Sequence, residues 1–153
     1  MNTETIKRDL VKAEELRLER YHQLIDLNEA EKQLLVAGNH VDLTANLASQ
    51  DEILAELASL DRRVDALSEQ LVGSTDTNES IDRRHGEIVA KSSEIAIRLR
   101  SLIDLNRGLL DNALKFVGFT MSIISQAVAE QRAYDPNKPV TDKRLSLILD
   151  QKV

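Results

Sequence analysis

Two pairs of side chains in this sequence have the types and spacing of metal ligands or of an acid–base pair: Glu19 with His22, and Asp82 with His85. On a helix, residues three apart share a face, so each pair sets a carboxylate beside an imidazole. A di-metal helical bundle needs two such Glu-x-x-His motifs and two further inward carboxylates. Asp82 is not a Glu, and the inner positions of the later helices offer no further acid, so no metal is expected and His85 reads as a boundary histidine near a helix start. No glycine-rich phosphate loop, nucleophile elbow or supported Ser/His/Asp set is present. The chain is therefore not expected to be an enzyme, and no cofactor is implied.

The elements that would position any site are helices. Among 153 residues, five Gly, two Pro and 3% aromatics accompany 30% charged residues, a composition that favours long helices. The net charge of −6 comes with scattered Lys and Arg, which argues against nucleic acid as a partner. With no Cys there is neither a disulfide nor a thiolate zinc site. The polar start after Met1 does not resemble a secretory signal, and Lys115 with several Ser and Thr interrupts the greasiest stretch, so no integral membrane segment is expected and the chain reads as cytoplasmic.

Hydrophobic spacing predicts three helices, over 3–37, 42–72 and 80–133. Ile6, Leu10, Ala13, Leu16, Leu24, Leu27 and Leu34 mark the inner side of the first, while charged residues such as Glu14 read as its outward face. Gly38 and Asn39 can close the first helix, and Asp42 reads as the N-cap of the second. Leu43, Leu47, Leu54, Leu57, Val64 and Leu71 give the second an inner row, flanked by Ile53, Leu60 and Leu67. The row of the third runs from Ile81 through Ile88, Ser92, Leu99, Leu102 and Asn106 to Ala127. The fold class is all-α: an antiparallel, coiled-coil-like bundle of three long helices. The third is the longest, with Gly108 and Gly118 as points where it could kink into a fourth segment. Residues 1–133 would form the bundle domain, and 134–153 a turn and flexible tail.

The third helix is expected to outlast its partners, and its last part is the most apolar. From Leu109 to Val128 the apolar positions sweep an arc of roughly 220° on a helical wheel, where one neighbour covers about 100°. Leaving on the order of 500 Å² of this surface wet would forgo about 12 kcal/mol at 25 cal/mol per Å². A client or a second copy of the chain is therefore expected to cover it.

The string LNRGLLDNALKFVGFTMSII (105–124), followed by AYDPNKP, resembles the FlgN family of flagellar export chaperones. Asn106, Leu109, Leu110, Phe116, Val117 and Tyr134 carry the resemblance, together with the turn at Ala37 to Asn39 and the leucine-rich second helix. It implies a cytoplasmic chaperone that holds the unfolded terminal segments of the hook-filament junction proteins FlgK and FlgL and delivers them to the type III export gate. It further implies that Leu109, Leu110, Leu114, Val117, Met121, Ile124 and Val128 face the client and that Tyr134 touches the gate protein FlhA. The alternative is a structural coiled-coil homodimer without a client.

Overall fold

The computed structural model describes residues 2–133, and these form three helices, α1 (Thr3–Ala37), α2 (His40–Leu71) and α3 (Glu79–Ala133), with no strand among them. Tyr134 and the expected tail lie outside the described residues. The chain divides into two compact units, Met1–Leu110 and Asp111–Val153. α3 continues as helix through Gly108 and Gly118, so no separate fourth segment breaks off there.

Each helix end has a local chemical cause. The Asn2 side chain accepts from the Glu4 N–H and starts α1, satisfying one of the amides that the first turn leaves unpaired. Gly38 ends it at φ 67°, the left-handed conformation that costs a side-chain-bearing residue most, and the amides of Gly38 and Asn39 donate back to Leu35 and Leu34. Open space surrounds a Cβ built at Gly38, so the penalty of Gly38→Ala is conformational alone. It is expected to lower stability by about 1 kcal/mol, read from urea unfolding followed by circular dichroism.

Asn39, not Asp42, caps α2. Its side-chain oxygen accepts from the Asp42 N–H at 3.2 Å, while its side-chain Nδ2 donates to the Asp42 carboxylate at 2.7 Å. Asp42 therefore holds the capping side chain in place, and α2 starts two residues earlier than the spacing of its leucines suggests. Asn78 and Asp82 build a similar arrangement at the start of α3: Asn78 accepts from the Ile81 N–H, and Asp82 accepts from the Asn78 N–H. Lys7 of α1 donates to the Asp76 carbonyl and to Asp82, both at 2.7 Å, tying the α2–α3 connection to the first helix. The Lys7 hydrogen bond holds the Asp82 carboxyl below its ordinary pKa, with the Asn78 amide adding to it and slight burial opposing.

Within the first unit the helix directions follow from which side chains meet. Going up α1, Arg17 pairs with Asp61, Arg20 with Glu56 and Asn28 with Gln50, so α2 runs antiparallel to α1. Lys7 meets Asp82, Glu15 meets Arg84 and Asn28 meets Asn106, so α3 runs parallel to α1. Ile6, Leu10 and Ala13 pack on Val64 and Leu67 near one end. Further along, Leu24 and Ile25 pack on Leu99, with Tyr21, Ile53, Ile95 and Ile103 around them, so all three helices share this second cluster. Burial of such side chains drives the assembly, since helices of marginal intrinsic stability gain most from packing an apolar face.

Several expected inner and outer positions are reversed. Glu14, read as an outward charge, is buried. Leu16, Leu47 and Leu54, read as inner leucines, are exposed; on α2 the expected Leu57, Leu60, Val64 and Leu67 are buried, joined by Asn46, which was not among the expected inner positions. On α3 the expected row is buried at Ile88, Ser92, Leu99, Leu102 and Asn106, whereas Phe116, Thr120 and Ala127 at its far end, also read as inner, are exposed.

Candidate functional site

The acid–imidazole pairs dissolve into separate structural contacts. His22 Nδ1 lies 2.9 Å from the Leu18 carbonyl one turn earlier, and Glu19 sits beside Arg20. Asp82 is engaged by Lys7, while His85 Nε2 lies 3.9 Å from Glu14 Oε1. No cluster of three or more His, Cys, Asp or Glu able to hold a metal occurs among the described residues.

Two polar groupings lie inside the first unit, and each is engaged with its own helices. Buried Glu14 pairs with Arg17 at 2.6 Å, and Arg17 also reaches Asp61 of α2 at 3.1 Å. Burial pushes the neighbouring Tyr21 phenol above its ordinary pKa, with the Arg17 charge opposing and the charges of Asp61 and Glu14 adding. The second grouping joins all three helices. Asn106 Nδ2 of α3 donates to the Asn28 carbonyl at 2.8 Å and to Glu31 Oε2 at 3.2 Å. Gln50 of α2 donates to Glu31 at 2.8 Å and to Asn46 at 2.7 Å, and Asn46 donates to the Leu27 carbonyl at 2.9 Å. A buried carboxylate is tolerable when donors surround it in this way. These contacts hold the helices together.

The described part of the second unit has a different character. It is helix throughout, and most of its large apolar side chains are exposed: Leu114 is 61% exposed, Phe116 70%, Val117 47%, Met121 57%, Ile124 50% and Val128 42%. Such a run is unusual, because single exposed hydrophobics are common whereas contiguous apolar patches mark interaction surfaces. A shallow hollow lined by Ile124, Ser125, Val128, Ala129, Arg132 and Ala133 lies on the same stretch. Five of the seven residues expected to face a client are therefore exposed here. Leu109 and Leu110 belong to the first unit and are half-buried in it. Phe116 was not among the seven, although the wheel already placed it within the apolar arc, and its exposure exceeds theirs.

The described helix of the second unit thus bears a run of exposed apolar side chains, a feature that marks interaction surfaces. No described helix is long and apolar enough to cross a membrane. The family model described as FlgN protein matches residues 6–140, and the chain belongs to the FlgN family. This is a chaperone family, and membership carries the general role of a flagellar export chaperone. Neither the curated proteins nor the solved structures include a match to the chain.

Proposed function

We propose that this chain is a cytoplasmic chaperone for the junction proteins FlgK and FlgL, holding their unfolded terminal segments on the apolar face of residues 111–133 and delivering them to the type III export gate. Leu114, Val117, Met121, Ile124 and Val128 face the client in this reading, and Tyr134, outside the described residues, touches FlhA. The observation that carries it is the exposure of those five side chains on one stretch of helix. An amphipathic segment with apolar residues three and four apart can lay its face along such a surface. Met121 adds a side chain that adapts to more than one partner, as a chaperone with two clients requires. Ordering the client on binding consumes part of the gain, which suits a holder that must later release its cargo.

The test is titration of the full-length chain with purified terminal segments of FlgK and FlgL, with calorimetry for affinity and light scattering for mass. A saturable complex of one chain with one segment is expected. The same exposed row also suits a second copy of the chain. A homodimer that persists at saturating client, or no binding of either segment, would overturn the reading.

A further inference from the structure

The exposed helix of the second unit carries two rows of largely apolar side chains, not one, with Thr120 the polar member of the second. Leu114, Val117, Met121, Ile124 and Val128 follow each other at steps of three and four. One residue behind, Ala113, Phe116, Thr120, Ile123 and Ala127 repeat the same steps. Each row has the spacing of a coiled-coil seam, and successive residues lie about 100° apart around the axis. A single partner helix covers about that much, so it satisfies one row and leaves the other wet.

The residue types along the first row agree. Two-stranded parallel coils favour Val or Ile at the position that begins the three-residue step and Leu at the one that ends it, and the reverse favours bundles of more helices. Here Leu114 and Met121 begin the step while Val117 and Ile124 end it. In the second row the beginnings are the small Ala113 and Thr120, and the ends are Phe116 and Ile123, a large–small alternation into which a neighbour can interdigitate. Charge plays almost no part, since Lys115 is the sole charged residue between Asn112 and Ala129.

We infer that this helix is covered by two helices at once, supplied as a helical hairpin with uncharged inner faces by a single client chain, one helix along each row. The inference rests on the proposed chaperone role. A second copy does not meet the requirement, because symmetric pairing through one row leaves the other open on both copies. Four copies could close both rows, but each chain brings a net charge of −6, and gathering four of them is opposed by that repulsion.

The probe is a synthetic two-helix hairpin peptide with Leu/Ala inner faces, compared with its single-helix half and with the FlgK and FlgL segments, each titrated into the full-length chain. The hairpin is expected to bind one to one and at least thirtyfold more tightly than the half. Met121→Asp in the first row and Phe116→Asp in the second are each expected to weaken it at least thirtyfold, with helicity unchanged by circular dichroism. A half that binds as well as the hairpin, or a row whose substitution is silent, overturns the inference while leaving the chaperone role standing. Hairpin binding without binding of either junction segment supports the two-helix surface and removes the proposed clients. A tetramer of the chain alone, seen by light scattering, overturns the inference in favour of self-association.

Discussion

Replacing Asn106 by Asp is expected to destabilise the first unit by about 3–5 kcal/mol at pH 7, and the loss is expected to shrink as the pH falls. Asn106 is 2% exposed, and its amide nitrogen donates to the Asn28 carbonyl and to the Glu31 carboxylate. Asn106→Asp keeps the shape, removes the donor and can place an oxygen where the nitrogen stood, about 3 Å from another carboxylate oxygen. Burial and a like charge both raise the pKa of the introduced carboxyl above its unfolded value near 3.9. A raised acid pKa means that the penalty is absent below the unfolded value and grows as the pH rises toward the folded one. The gap between parent and variant, measured by urea unfolding, should therefore be wider at pH 7 than at pH 5. Asn106→Leu separates charge from packing. It leaves the Asn28 and Glu31 oxygens without this donor but adds no charge, so a loss of about 1–3 kcal/mol with little pH dependence is expected. Equal, pH-independent losses in the two variants would show that the amide matters for its volume alone.

That polar layer also marks where the sequence stops being legible. Helix number, the glycine stop at Gly38 and the inner row of α3 as far as Asn106 follow from spacing, because each rests on a single dominant pattern. Asn106 and Ser92 were placed inside because apolar neighbours on both sides along the helix left them no other face. On α2 the leucines offer two adjacent rows, and spacing favours the one through Leu47 and Leu54. The structure buries both rows from Leu57 onward, but nearer the start of α2 it turns Asn46 and Gln50 toward α1, where their amides are used, and leaves Leu47 and Leu54 exposed. Glu14 and Glu31 were hidden for a related reason. A carboxylate on a helix reads as solvated until its donors are known, and those donors lie elsewhere in the sequence or on another helix. The apolar face of residues 111–133 was legible because almost no charge interrupts it, whereas Tyr134 could be reached through family resemblance alone.

The double substitution Val117→Asp with Ile124→Asp is expected to weaken binding of the junction segments by at least a thousandfold, roughly 4 kcal/mol. The two side chains lie seven residues apart on one row and are half-exposed in the free chain, so their replacement fills no core and opens no cavity. In an exposed helix each Asp costs at most about 0.7 kcal/mol of propensity, and the helix should persist. Under a bound client both carboxylates would lose water without gaining a donor, a cost of several kcal/mol for each group. Lys115→Ala supplies the contrast, because Lys115 lies off both rows and its removal is expected to change affinity by less than twofold. Calorimetry on the three proteins, with circular dichroism melts alongside, separates a lost surface from a lost fold. Unchanged affinity in the double variant with its helicity intact would move the client elsewhere on the chain. A thousandfold loss shared by Lys115→Ala would mean that charge, not apolar spacing, selects the client.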